Sequence, residues 1–192
     1  MELSALSGGF DNAAHQSATA FRAIMNVMAR PGVIETVTGA VPPKGLSIAA
    51  GSLLLTLCDP ETNLHLAGDL DTKTIRDWLT FHTGAPIVPA AQADFAIGAW
   101  EDLMPLTQYA IGTDQYPDRS ATLIVEMPEL AQSGVTLTGP GIQTSAALSL
   151  PAIEPLQLNA ALFPLGCDFF FTAGDQIAAL PRTTKLESTP CM

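Results

Sequence analysis

DFFFTAGDQIAAL, residues 168–180, is the stretch on which the fold turns. Two apolar runs flank Ala173-Gly174-Asp175, and a glycine–aspartate turn between such runs is the mark of a β-hairpin. A hairpin demands antiparallel neighbours. Immediately after it comes LPRTTK, residues 180–185, where Arg182 and Lys185 stand three apart around two threonines. The chain has only 8 Lys and Arg in 192 residues, so this placing asks for a cause.

Working outward, GVTLTGPGI (134–142) and ATLIVEM (121–127) read as strands, with a turn around PELAQSG (128–134). ADFAIG (93–98), TNLHLAG (62–68) and VIETVTG (33–39) read as further strands; in TNLHLAG, Leu64 and Leu66 share a face opposite His65. Between them lie helical patterns. In residues 11–32, Ala14, Ala18, Phe21, Met25 and Met28 form one apolar stripe, and Arg22, Asn26 and Arg30 form a polar one. Asp11 or Asn12 can cap that helix, and Pro31-Gly32 stops it. GLSIAAGSLLLTLCD (45–59) is apolar on every side and predicts a buried helix. DTKTIRDWLTFHTGAP (71–86) predicts a helix capped by Asp71, with Ile75, Trp78 and Leu79 on its inner face, ending at Gly84. WEDLMPLTQYA (100–110) predicts a short broken helix, and Leu150–Leu165 a proline-rich loop with at most two helical turns. Strands mixed with helices, with antiparallel pairs at the closing hairpin and at VTLTGPGI, predict one α/β domain over 1–192: a mixed sheet covered by helices.

Composition bounds what such a domain does. Apolar residues make up 47% and charged residues 14%, against roughly 25% charged in typical soluble domains. Some apolar surface is therefore expected to be covered by another subunit. The net charge of −11 repels phosphate backbones and anionic membranes, so neither nucleic acid nor a membrane is expected as partner. The longest apolar stretch falls short of the roughly 20 residues of a membrane span, and MELSALSGGF lacks the basic start of a secretory leader. These features predict a cytoplasmic protein. Cys58, Cys167 and Cys191 make an odd set without CxxC spacing, expected as buried thiols in a reducing compartment.

The chemistry-bearing motifs are sparse. LTGPGI has two glycines but neither the P-loop pattern nor a third glycine, so a strand ending in a turn explains it as well. His82, beside Thr83 at a helix end, either bonds free carbonyls or lies at the mouth of a site. No His, Cys or acidic cluster has metal-ligand spacing, and no GxSxG elbow is present. A pyridoxal cofactor would need Lys44, Lys73 or Lys185, none in a convincing setting. No metal and no cofactor are expected. Arg182, with its forked donors, and Thr183 and Thr184, with their hydroxyls, make the best anion candidate. The plain alternative is Arg182 salt-bridged within the fold.

FRAIMNVMARPGVI (21–34), SLLLTLCDPET (52–62), FHTGAPIV (81–88), ATLIVEMP (121–128), LTGPGI (137–142) and FPLGCDFFFTAGDQIAALPRTTK (163–185), in this order, resemble the blocks of the PhnH family, whose members are components of the carbon–phosphorus lyase complex. The resemblance runs from about Phe21 to about Glu187 and implies a role in phosphonate catabolism under phosphorus starvation. It implies that the chain acts with subunits G, I and L in making α-D-ribose 1-methylphosphonate 5-triphosphate from ATP and methylphosphonate, without being catalytic alone. It further implies a homodimer when isolated, docking on subunit I within an assembly that also holds subunits G and J. The implied fold is a trimmed fold-type I pyridoxal-phosphate transferase domain without the cofactor. No catalytic set is carried over. Arg22, Arg30, His82, Thr83, Arg182, Thr183 and Thr184 fall within the matching blocks and are nominated, on chemical grounds, as anion-facing or interface residues. Two other classes stay open: a module that binds a phosphorylated small molecule through Arg182, and a self-sufficient pyridoxal-type enzyme using Lys73 or Lys185.

Overall fold

The computed structural model describes residues 7–187. In chain order its elements are α1 (Ala13–Ala29), β1 (Glu35–Thr36), α2 (Ile48–Leu57), β2 (Leu64–Leu66), α3 (Lys73–Thr83), β3 (Phe95–Ala99), β4 (Thr122–Glu126), β5 (Val135–Thr138), β6 (Ala146–Leu148), α4 (Ile153–Ala160), β7 (Asp168–Ala173), β8 (Gln176–Leu180) and β9 (Lys185–Glu187). Single 3₁₀ turns occupy the 100–110 stretch at Glu101–Leu103 and Leu106–Gln108, as its broken pattern predicted.

The hairpin holds. Phe169 pairs with Leu180 and Ala173 with Gln176, so Gly174-Asp175 is a two-residue turn. That hairpin joins a six-stranded sheet in the order β1-β8-β7-β4-β3-β2. β2, β3, β4 and β7 run parallel, and β1 and β7 both run against β8, which leaves β8 the one reversed strand. Helices α1, α2 and α3 cover one face as expected, while strands share the other with α4, so the sheet is mixed but not wholly helix-covered. VTLT does not join it: β5 forms a separate antiparallel sheet of three strands, in the order β6-β5-β9.

Side-chain alternation along the central strands sorts the interior into two cores. Ile97, Ile124, Phe170, Ile177 and Ala179 point to one face, under α1, α2 and α3. Ala96, Leu123, Val125, Phe169, Phe171, Ala178 and Leu180 point to the other, against β5, β6, β9 and α4. The central strands are thus buried on both sides, which is why they read as nearly unbroken apolar runs. The rings of Phe169 and Phe171, two residues apart on one face, lie near-parallel with centroids 6.2 Å apart.

Local signals set the helix ends. Asn12 accepts from the His15 N–H to open α1, and Gly84, at φ +71°, closes α3. The cap of α3 is Thr72 rather than Asp71; Asp71 instead receives the Arg76 guanidinium. The expected strand at 33–39 shrinks to Glu35–Thr36, and Gly39 has φ +123°, a conformation outside the β region. α1 holds one further surprise. Its buried residues are Ala20, Ile24 and Val27, while Phe21 and Met25 are 47% and 51% exposed.

Candidate functional site

The structure places the nominated residues in three separate settings. The first is the end of the hairpin, where Asp168 begins β7 and Arg182 follows β8. Both ends of the Arg182 fork reach the Asp168 carboxylate, Nε to Oδ1 at 3.1 Å and Nη2 to Oδ2 at 2.5 Å. Nη1 donates to the Pro117 carbonyl at 2.8 Å, and Nη2 also donates to the Ser120 hydroxyl. The Arg182 N–H adds a bond to Asp168 Oδ1 at 2.8 Å. The guanidinium thus ties the hairpin to the 117–120 segment, spending most of its donors inside the fold. Arg182 itself, with Thr183, Thr184 and Lys185, lines a cavity of about 260 Å³, with Pro140 and the exposed Phe163 on its walls. Thr184 is buried, and its hydroxyl finds no hydrogen-bond partner among the described residues.

The second setting is a groove of about 450 Å³ between α1 and β1. Arg22 lines it, exposed and without an ion pair among the described residues. Arg30 is also exposed; it donates to the Asn26 side chain, which in turn donates to Glu35. The polar stripe therefore runs from the helix to the neighbouring strand.

The third is the end of α3. The Thr83 hydroxyl donates to Leu79 O at 2.7 Å and accepts from the Ala85 N–H at 3.1 Å, so this buried side chain closes the helix end. His82 packs against Trp78, with ring centroids 5.0 Å apart, and its Nε2 lies 3.4 Å from the Ser7 carbonyl. Neither residue lines either cavity.

Sequence reasoning passed over Glu126. It ends β4, accepting from the Ser47 N–H at the start of α2 (2.7 Å) and from the Thr172 hydroxyl on β7 (3.0 Å). Burial raises its carboxyl above the usual range, opposed by those two donors. The signal was present: it is the lone carboxylate closing an apolar strand. Burial likewise pushes the thiols of Cys58 and Cys167 up to about 12, which suppresses the reactive thiolate. Cys191 lies outside the described residues. Among the described residues no group of three or more His, Cys, Asp or Glu could hold a metal ion, and no helix is long and apolar enough to cross a membrane.

Residues 8–187 match a family model described as bacterial phosphonate metabolism protein (PhnH). The chain belongs to the PhnH family. The match begins thirteen residues before Phe21, so the family pattern includes the cap and first turns of α1. The chain is 38% identical over 191 residues to the α-D-ribose 1-methylphosphonate 5-triphosphate synthase subunit PhnH of Rhizobium meliloti, covering 94% of this chain and 95% of that protein. It is 28% identical over 176 residues to the putative C–P lyase subunit protein HtxG of Stutzerimonas stutzeri, covering 88% of this chain and 84% of that one. A PhnH-family assignment agrees with the reading of the six ordered sequence blocks.

Proposed function

We propose that the chain is a subunit of the carbon–phosphorus lyase system, acting in phosphonate catabolism within α-D-ribose 1-methylphosphonate 5-triphosphate synthase. The observation that carries this is the near-complete, two-way coverage of a synthase subunit at 38% identity. The geometry supports a part played in contact with others. α1 carries a second apolar stripe, Ala14, Ala18, Phe21 and Met25, that the fold leaves exposed. Exposed apolar side chains aligned on one helix face are a protein-contact surface in want of a partner. In this reading the chain works in the cytoplasm with subunits G, I and L, docks on subunit I in an assembly that includes G and J, and is a homodimer when alone. The reaction it serves joins methylphosphonate to the ribose of ATP with loss of adenine.

Co-expression with the other subunits tests the proposal. Deleting this chain should abolish formation of the ribose 1-methylphosphonate triphosphate, followed by phosphorus-31 resonance, and restoring it should recover the product. An assembly that forms and turns over unchanged without this chain refutes the reading.

A further inference from the structure

Thr36, on the edge strand β1, turns its main chain toward the groove beside α1, and the ladder fixes that direction. Ala173 and Gln176 face each other across the two-residue turn and form a hydrogen-bonded pair. The main chain of Gln176 therefore points to β7, and that of Ile177 to β1. Glu35, opposite Ile177, bonds inward; so does Val37, whose N–H donates to Asp175 O at 2.7 Å. Thr36, exposed between them, presents its N–H and carbonyl outward, with no main-chain partner among the described residues. The opposite edge of the same sheet is treated differently. There Ile87 bridges Leu64, the Leu64 N–H donates to Pro86 O at 2.8 Å, and the Val88 N–H donates to Leu64 O at 2.9 Å. Among the described residues one edge is sealed and the other is open.

The open edge looks into the 450 Å³ groove. Arg22 and Asn26 stand on its helix side; Glu35, Thr36 and Thr38 stand on its strand side. Asn26 and Glu35 satisfy each other, but the Arg22 guanidinium and the Thr36 and Thr38 hydroxyls have no partner among the described residues. Unpaired main-chain groups on a sheet edge are a template for another strand. An unpaired guanidinium beside them selects a carboxylate.

We propose that this groove receives an extended segment of another subunit, added to β1 as a seventh strand, with an aspartate or glutamate of that segment on Arg22. The inference rests on the subunit reading above. A second copy of this chain is the poorer occupant, because the one carboxylate its own β1 would bring, Glu35, is already held by Asn26.

The test compares amide hydrogen exchange in the free full-length chain and in the assembly purified by co-expression with the other synthase subunits. Residues 34–38 should exchange at least tenfold more slowly in the assembly. Thr36→Pro removes the outward N–H while sparing the bonds to β8, and Arg22→Glu reverses the charge. Each should lower affinity for the assembly by about tenfold, equal to about 1.4 kcal/mol, with the melting temperature of the free chain held for Arg22→Glu. Should Thr36→Pro lower that melting temperature, exchange in the wild-type assembly and the Arg22→Glu affinity decide. A wild-type assembly with unchanged exchange at 34–38 and normal incorporation of Arg22→Glu overturns the groove and leaves the subunit reading intact. Failure of the wild-type chain to assemble at all overturns both. Loss of a homodimer of the free chain in either variant assigns the edge to a second copy and also overturns the proposal.

Discussion

Replacing Arg182 with alanine separates a brace within the fold from a contact with ligand or partner. The truncation removes two contacts to Asp168, one to the Pro117 carbonyl and one to Ser120. The side chains of the pair are 12% and 24% exposed, nearer burial than the surface. Exposed pairs contribute about 0–1 kcal/mol, whereas breaking a buried pair by removing one partner costs about 3–5 kcal/mol. One contact survives, because the bond from the main-chain N–H of residue 182 to Asp168 Oδ1 does not need the side chain. The Asp168 carboxylate therefore keeps a donor, and the expected cost is about 2–3 kcal/mol, between those limits. For a chain of this size 1 kcal/mol shifts the midpoint by about 2–4 °C, so the loss is about 4–12 °C. Thermal unfolding followed by circular dichroism reads this directly. Arg182→Lys should recover less than half of it, since a point charge cannot replace the fork. A melting temperature within about 1 °C of wild type, with assembly or turnover lost, refutes the brace and returns Arg182 to a surface role.

Other substitutions probe other parts of the fold. Burial lets folded Glu126 hold its proton more tightly than the unfolded chain does, a stabilisation complete below the ordinary 4.5 and lost as pH rises through the folded value. The stability of wild type minus that of Glu126→Gln should accordingly fall as pH rises above the ordinary 4.5 in urea titrations; a flat difference counts against a buried carboxyl. Phe21→Ser with Met25→Ser should change the stability of the free chain by less than about 0.5 kcal/mol, as surface substitutions do, while weakening recovery with partner subunits; a large loss of stability would show that this face is packed. Cys58 and Cys167 should resist alkylation at about pH 8 in the folded chain and react on unfolding, as mass spectrometry of the labelled peptides would show. Rapid labelling of either in the native state contradicts the thiols raised to about 12.

The central sheet was legible because its strands are buried on both faces, and such strands announce themselves as apolar runs between turn residues. α3 was legible for a different reason: Ile75, Trp78 and Leu79 form one inner stripe, and Gly84 supplies the left-handed end. The separate sheet was not. Its strands, at 135–138, 146–148 and 185–187, are short and distant in sequence, and only long-range pairing brings Leu137 against Leu186. α1 shows the limit of periodicity most sharply. Ala20, Ile24 and Val27 form one apolar stripe and Ala14, Ala18, Phe21 and Met25 another, and both satisfy helical spacing. Burial chose the smaller residues, which let α1 approach α2 and β8 closely. The bulkier pair was left outside.

The partner of Arg182 was within reach of the sequence. Once Ala173 faces Gln176, counting outward along the hairpin brings Asp168 level with Pro181, next to Arg182. Register alone therefore pairs the two charges, and the apparent anion pocket at LPRTTK loses its strongest cation to the fold. The eight basic residues then sort by what they touch. Lys73, Arg76 and Arg182 make ion pairs, Arg119 lies 4.3 Å over the Tyr116 ring, and Arg30 donates to Asn26. Arg22, Lys44 and Lys185 are left without an ion pair among the described residues, and of these Arg22 alone has the fork that grips a carboxylate in two places. Its position beside Thr36 depends on how α1 packs across β8 and so on contacts no local pattern encodes. Under the docking proposed for this groove, a chain poor in cations sets an unpaired arginine beside the central-sheet edge left open among the described residues, in the part of the structure its sequence was least able to reveal.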